Sequence, residues 1–140
     1  MGDGGADHEG SCLCGRVRYR IRGPLGHMDH CHCVHCRKSH GAAFATYVEV
    51  PWEALDLLSG RDDLRTYEAD TGTRRAFCGI CGSNILCYVD GDRLVEVTAA
   101  TFDTPIAERA RSHIFVRSKV EWFEIRDEAQ QYETSRPYER

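Results

Sequence analysis

Eight cysteines in a chain of 140 residues constrain this protein more than any other feature of its sequence. Seven of them fall in three groups: a C-x-C of Cys12 and Cys14, a C-x-C-x-x-C of Cys31, Cys33 and Cys36, and a C-x-x-C of Cys78 and Cys81. The eighth, Cys87, lies among apolar residues and is predicted to be a buried core cysteine. Disulfides are typical of exported domains, and the first ten residues do not resemble a secretory signal, so we expect a reducing cytoplasm. Clustered thiols in that compartment indicate bound metal.

The charge pattern argues against nucleic-acid and membrane partners. The chain has 18 Lys+Arg against 22 Asp+Glu, a net charge of -4, and no run of basic residues. A dedicated nucleic-acid binder is expected to carry such a run. No segment approaches the roughly 20 apolar residues that a membrane-spanning helix needs. We therefore expect a cytoplasmic protein that binds neither nucleic acid nor a membrane, and no feature of the sequence predicts its oligomeric state.

Hydrophobic alternation predicts a mainly β fold of short antiparallel strands with little helix. Val17, Tyr19 and Ile21 alternate with arginines from Arg16 to Arg22, which is the pattern of a half-buried strand with a solvated arginine face. Further strands are predicted at residues 43–50, 64–68, 74–77, 84–89, 94–99, 113–116 and 120–125. Short helical segments are predicted at residues 51–53 and 106–110, and a hairpin turn at Asp90-Gly91.

Composition divides the chain into three parts. Residues 1–9 are rich in Gly and Asp and are predicted to be a disordered leader. Residues 10–126 are predicted to form a single zinc-binding domain, and residues 127–140 a loosely held polar tail. A β core of this size is thin, and small domains of this kind often need a metal or disulfide staple.

The spacing of the cysteines indicates how they could share metal ions. Thiols two apart on a strand point to the same face, and a C-x-x-C on a tight turn presents both sulfurs to one centre. Thiolates favour zinc, or less often iron–sulfur clusters. Four thiolates close a structural site, whereas three leave a position for another ligand, as catalytic sites do. The natural partition is four plus three, with Cys12, Cys14, Cys78 and Cys81 in one site and Cys31, Cys33 and Cys36 in the other.

Spacing alone leaves alternatives open. His35 lies inside the triplet and could close that site as a fourth ligand, in which case both zinc sites would be structural. His30 and His32 would face away from the cysteines on a strand and are read as solvated residues or as supports for the ligands. His113 begins an apolar strand and is predicted to be a satisfied core or rim residue.

Several ordered motifs resemble one known family. They are Gly10-Ser11-Cys12-Leu13-Cys14-Gly15, Cys31-His32-Cys33-Val34-His35-Cys36-Arg37-Lys38, Phe77-Cys78-Gly79-Ile80-Cys81-Gly82-Ser83, His113-Ile114-Phe115-Val116 and Trp122-Phe123-Glu124-Ile125. In this order they look like the glutathione-dependent formaldehyde-activating enzyme family, which includes centromere protein V. The resemblance implies an Mss4-like β fold, two zinc ions and carbon–sulfur lyase activity. It also implies that the two outer pairs form the structural site and that Cys31, Cys33 and Cys36 form the catalytic site.

The ligand type favours thiol chemistry at a three-cysteine site. Three thiolates leave zinc a poorer Lewis acid than three histidines do, yet such an ion still holds an incoming thiol as a nucleophilic thiolate. The hypothesis is that a glutathione-like thiol adds to a formaldehyde-like aldehyde, or that the adduct is cleaved in reverse. His32, His35 and Arg37 lie near in sequence, but none is singled out as a general base. The competing hypothesis is a non-enzymatic, zinc-stapled binding module.

Overall fold

The computed structural model describes residues 7–137 and is mainly β within that range. The strands are β1 (His8–Ser11), β2 (Arg18–Ile21), β3 (Met28–Cys31), β4 (Ala45–Pro51), β5 (Leu55–Ser59), β6 (Leu64–Glu68), β7 (Thr73–Cys78), β8 (Asn84–Val89), β9 (Leu94–Thr98), β10 (Ser112–Ile114) and β11 (Gln130–Gln131). The α-helix of the described chain is α1 (Val34–His40), and four short 3₁₀ helices occur at Trp52–Ala54, Arg61–Asp63, Ala99–Thr101 and Val116–Ser118. The predicted fold class is confirmed.

The described chain forms two compact units. The first comprises residues 7–26 and 48–107, and the second comprises residues 27–47 and 108–137. The boundary between them falls inside β4, so the two ends of this strand belong to different units. Each unit contains one of the predicted cysteine sites.

The first unit contains two sets of paired strands, in which β1, β2 and β5, and likewise β6 to β9, run antiparallel to their neighbours. One is a three-stranded sheet in the order β1-β2-β5, and the other runs β4-β9-β8-β7-β6. Strands β8 and β9 are joined by the predicted hairpin turn, in which Asp92 N donates to Val89 O at 3.2 Å and Gly91 takes a φ of 90°. The alternation predicted around β2 is confirmed, because Val17, Tyr19 and Ile21 are buried.

The arginine face of β2 is exposed, as predicted, and carries surface ion pairs. Arg18 lies 3.8 Å from Glu9, and Arg20 lies 3.7 Å from Asp56. Exposed pairs of this kind contribute about 0–1 kcal/mol each. The face is therefore explained by solvation and needs no ligand.

The second unit is built around parallel strand pairs. Its strand order is β11-β10-β3-β4, and β10 pairs in parallel with both β3 and β11. The prediction of antiparallel strands is wrong for these pairs. Parallel register sets His113 beside His30 and Ile114 beside Cys31, so residues far apart in sequence meet next to the cysteine triplet.

Two predicted elements are absent from the described structure. Residues 120–125 form a turn and irregular chain instead of a strand, because the Lys119 ammonium binds the carbonyls of Val120 and Phe123 at 3.0 and 2.5 Å. Residues 106–110 are not helical. So short a helix is marginal in water without tertiary support.

Both ends of the predicted domain extend further than composition suggested. His8 and Glu9, placed in the leader, belong to β1, while residues 1–6 of that leader lie outside the described residues. In the predicted polar tail, β11 pairs with β10, and Tyr132 N donates to His113 O at 2.9 Å. Backbone hydrogen bonds hold these segments, and such bonds need no apolar side chains. The single domain over residues 10–126 stays a prediction.

None of the helices in the described chain is long and apolar enough to cross a bilayer.

Candidate metal centres

The first candidate site brings together the outer cysteine pairs within the first unit. Sγ atoms of Cys12, Cys14, Cys78 and Cys81 all lie within 4.8 Å of one another. Cys12 Sγ is 3.6 Å from Cys14 Sγ, which in turn is 3.8 Å from Cys78 Sγ. A tetrahedron with zinc–sulfur bonds of about 2.3 Å has edges of about 3.8 Å. The sulfur spacing therefore suits four ligands around one ion.

Local turns present these sulfurs and their hydrogen-bond donors. Gly82 adopts a φ of 84° and donates from its N–H to Cys78 O at 2.8 Å, which closes the turn of the C-x-x-C. Val17 N donates to Cys12 Sγ at 3.3 Å, and Ile80 N donates to Cys78 Sγ at 3.4 Å. Backbone N–H groups that point at sulfur stabilise its thiolate form.

Ser83 links the two halves of this cluster. Its hydroxyl accepts from Leu13 N at 2.9 Å and lies 3.4 Å from Cys81 Sγ. Hydrogen bonds from the Ser83 side chain and backbone lower the pKa of the Cys81 thiol to about 5. Cys81 is therefore ready to act as a thiolate ligand.

The second candidate site is the cysteine triplet of the second unit. Cys31 ends β3, Cys33 is the N-cap of α1, and Cys36 lies in the first turn of that helix. Their three Sγ atoms lie within 4.8 Å of one another, and Cys36 N donates to Cys33 Sγ at 3.3 Å. Cys31 and Cys36 are buried, whereas Cys33 is half-buried. The geometry gives one small, partly accessible cluster of sulfur.

Helix α1 was not predicted, and it determines how the triplet is arranged. The helix begins after Cys33, and it ends at Gly41, which takes a φ of 60° and donates its N–H to Arg37 O. The C-x-x-C half of the triplet thus sits on a helical N-terminus and not on an extended strand. Gly41, which follows a last turn with the basic residues Arg37, Lys38 and His40, is a C-terminal helix signal that could have revealed this helix, whereas Cys33 is not a residue type preferred at an N-cap.

His35 does not join the triplet. It is exposed on α1, and among the described residues the sulfur group includes no histidine or carboxylate. Cys87 is buried in β8, as predicted, and belongs to neither sulfur group.

Both sulfur groups fit zinc on their own chemistry. All eight cysteines lie within the described residues, and none of them forms a disulfide. Hydrogen bonding to Cys33 and Cys36, and then burial, raise the pKa of the Cys31 thiol. Several thiolates crowded into one buried cluster repel one another, so they ionise together only around a cation. Soft sulfur donors in sets of three and four suit zinc.

Histidines near the triplet form a third cluster that the sequence did not reveal. One ligand atom from each of His30, His113 and Asp127 lies within 4.8 Å of the others. His113 Nε2 is 3.0 Å from Asp127 Oδ2, and His113 Nδ1 is 2.8 Å from His32 Nε2. His32 is fully buried and His30 is half-buried, so of the two predicted roles the solvated one is wrong for His32, and support of the ligands stays a prediction. His113 is a satisfied core residue, as predicted.

Burial also sets the charge of these histidines. Burial, followed by the nearby His113, lowers the pKa of both His30 and His32 to about 4, so both rings are neutral near pH 7. The hydrogen bond from His113 lowers the pKa of the Asp127 carboxyl below its usual value. No spacing rule links these residues, because the parallel register of β10 and β3 and the chain after β10 bring them together.

The fold and the cysteine groups define the class: a small, mainly β protein with sulfur sets suited to metal. The sequence profile of the glutathione-dependent formaldehyde-activating enzymes matches residues 7–118, and the chain belongs to this family. It is 28% identical over 131 residues to a Halomonas elongata protein named "Putative glutathione-dependent formaldehyde-activating enzyme". The alignment covers 87% of this chain and 83% of that protein.

A solved structure resembles the fold. The crystal structure of a Rhodobacter sphaeroides protein superposes with a TM-score of 0.59 and 21% sequence identity, covering 71% of this chain and 91% of that chain. A likeness at this identity bears on the fold alone.

Proposed function

We propose that this protein is a zinc-dependent carbon–sulfur lyase-type enzyme that forms or cleaves the adduct of a small thiol and an aldehyde. Membership of the family supports glutathione as the thiol and formaldehyde as the aldehyde. The observation that carries the proposal is the triplet of Cys31, Cys33 and Cys36, which groups three thiols with no histidine or carboxylate of the described chain.

The two sulfur groups would take different roles. Cys12, Cys14, Cys78 and Cys81 would hold a structural zinc, because four protein ligands complete its coordination. Cys31, Cys33 and Cys36 would hold the catalytic zinc, because three leave room for a substrate sulfur. When bound there, zinc supplies a Lewis-acidic centre that favours the thiolate form of an incoming thiol.

The chain's own part is to hold and expose the reaction site. Cys31 and Cys36 are buried and fix the cluster to β3 and α1, while the half-buried Cys33 lies at its more accessible side. In the forward reaction the substrate sulfur forms a bond to the aldehyde carbon. The carbonyl π pair moves onto the aldehyde oxygen and there binds the proton that the thiol lost, which gives the hydroxyl group of the adduct. The reverse reaction breaks the same carbon–sulfur bond and returns that proton to sulfur.

The exposed position of His35 supports catalysis over the alternative of a stapled binding module. That alternative needs a further protein ligand to close the triplet, and the exposed His35 lies outside the sulfur group. A reducing cytoplasm is the compartment that we propose, because all eight cysteines are outside disulfides.

The test compares Cys33→Ser with Cys87→Ser. Exchange NMR with glutathione and formaldehyde measures adduct turnover above the spontaneous rate, and mass spectrometry measures zinc per chain. We expect Cys33→Ser to lower turnover at least tenfold and to lose the zinc that the triplet would hold. Cys87→Ser should retain both, because Cys87 lies in neither sulfur group. Full turnover and full zinc content in Cys33→Ser would contradict the proposal.

A further inference from the structure

We propose that His30, His113 and Asp127 form an additional metal site, which takes a divalent first-row transition ion through two imidazoles and one carboxylate. This site shares no ligand with either sulfur group and does not depend on the proposed function. All of its residues belong to the second unit.

Distances within the cluster suit one ion. The three ligand atoms lie within 4.8 Å of one another, and His113 Nε2 lies 3.1 and 3.0 Å from the two carboxylate oxygens of Asp127. Nitrogen and oxygen ligands at about 2.1 Å from a metal are separated by about 3.0–3.4 Å. The His113–Asp127 pair already has that separation, and a modest movement of the His30 ring would complete the set.

The outer nitrogens of both histidine rings are occupied in the way that metal-ligating histidines require. His30 Nδ1 lies 2.7 Å from Thr46 Oγ1, and His113 Nδ1 lies 2.8 Å from His32 Nε2. A ligating histidine typically donates its other ring N–H to such a neighbour, which fixes the tautomer and the ring orientation. His30 Nε2 makes no hydrogen bond within residues 7–137. Both Nε2 atoms can then offer lone pairs to one ion.

The buried His32 ring adapts to either state of the site. Without an ion, His113 donates from Nε2 to Asp127, and its Nδ1 accepts from His32 Nε2–H. With an ion, His113 carries its proton on Nδ1 and donates to His32 Nε2, so the His32 proton moves to Nδ1. The number of protons is unchanged. His32 Nδ1 is buried without a hydrogen-bond partner among the described residues, so this atom is unpaired in either tautomer.

The surroundings restrict access to one side. His113 is buried, and Phe44 packs against the ring of His30 at 4.4 Å between centroids. The side chain of Asp127 remains 53% exposed and provides the route for an ion. Two imidazoles with a carboxylate suit zinc, iron, cobalt or nickel better than calcium or magnesium, which prefer oxygen ligands.

The experiment counts metal in the full chain and identifies its ligands. The protein is reconstituted with Co²⁺, dialysed at a fixed free concentration, and assayed by mass spectrometry and absorption. Thiolate-bound Co²⁺ shows sulfur-to-metal charge-transfer bands, whereas Co²⁺ bound by nitrogen and oxygen does not. The intensity of the charge-transfer bands gives the amount of thiolate-bound Co²⁺. We expect the wild-type protein to bind one equivalent of Co²⁺ beyond that amount.

Three variants locate that additional ion. His30→Ala and Asp127→Asn should each lose it and keep the charge-transfer bands. Glu128→Gln, which removes a neighbouring exposed carboxylate of the same charge, should keep it. Cys33→Ser should weaken the charge-transfer bands and also keep it, so failure of the catalytic proposal is distinguishable from failure of this one.

Two results would overturn the assignment. One is that all the Co²⁺ bound by the wild-type protein is thiolate-bound. His30, His113 and Asp127 would then form hydrogen bonds but no metal site. The other is retention of the additional ion in either His30→Ala or Asp127→Asn. Unfolding midpoints of the variants show that any loss of metal comes from folded protein.

Discussion

Removing two thiols from the four-cysteine group should destabilise the protein far more than removing two from the triplet. Cys14 and Cys78 are 64 residues apart in sequence, yet their sulfurs lie 3.8 Å apart. An ion held by both pairs therefore closes a long loop of the first unit. In contrast, Cys31, Cys33 and Cys36 lie on adjoining segments, and an ion bound there closes only a short loop.

The magnitude follows from the loop lengths. For a cross-link that closes 64 residues, the chain-entropy relation gives about 4 kcal/mol at 25 °C. For the loop of about five residues within the triplet, it gives about 2 kcal/mol. Because small domains have free energies of unfolding of about 5–15 kcal/mol, the larger loss removes a large share of the stability.

The assay is urea unfolding of two zinc-loaded double variants. Cys14→Ser/Cys81→Ser leaves only two thiols at the first site and cuts little from the core, because Cys14 is exposed and Cys81 half-buried. Cys33→Ser/Cys36→Ser is the corresponding change in the triplet, where the Cys36 side chain is buried. We expect losses of about 4 and about 2 kcal/mol with unchanged denaturant slopes. Equal losses, or a Cys14→Ser/Cys81→Ser variant as stable as wild type, would refute the loop-closure reasoning.

Three further changes test other parts of the structure. His35→Ala should keep all its metal by mass spectrometry, because the exposed His35 lies outside the sulfur group; loss of an ion would make it a ligand. Gly60→Ala should cost about 2–4 kcal/mol in urea unfolding and Gly91→Ala about 1 kcal/mol. Both glycines have φ near +90°, so a side chain is strained at either position. A Cβ at Gly60 would also lie 2.6 Å from Val17 Cα, whereas a Cβ at Gly91 meets open space. Equal losses of stability in the two variants would contradict this steric explanation. Burial, and then the charges of two arginines, lower the pKa of His27 to about 4 from 6.5. The charged groups around it are Asp29, Arg111 and Arg136. The contribution of His27 to the stability of the folded state is therefore full above pH 6.5 and is lost, by about 1–2 kcal/mol after screening, as the pH drops towards 4. His27→Gln should make this part of the pH profile of urea midpoints less steep, while His30 and His32 still contribute to it, and an unchanged profile would remove His27 as one of the causes.

Strands were predictable where their side chains alternate against a core. The bounds of β6 and β8 match the predicted segments at residues 64–68 and 84–89. Strands β1 and β11 were missed because their pairing depends on backbone hydrogen bonds to partners elsewhere in the chain. Alternation cannot reveal a strand whose side chains are mostly polar or absent.

Local chemistry could be read from the sequence because it depends on local spacing. The thiols of Cys12 and Cys14, or of Cys78 and Cys81, are close for any chain with those short intervals, and the type of donor decides which metals suit them. The pattern also indicated which pairs would share an ion, and the structure brings their sulfurs together.

Only the tertiary structure determined the contacts that join distant segments. The exposure of His35 depends on where α1 begins and how it lies on the second unit. The meeting of His30, His113 and Asp127 depends on the parallel register of β10 against β3 and on the path of the chain that follows. Short-range spacing limits which atoms can chelate together, but long-range contacts follow from strand register, which burial and backbone pairing of the whole chain determine.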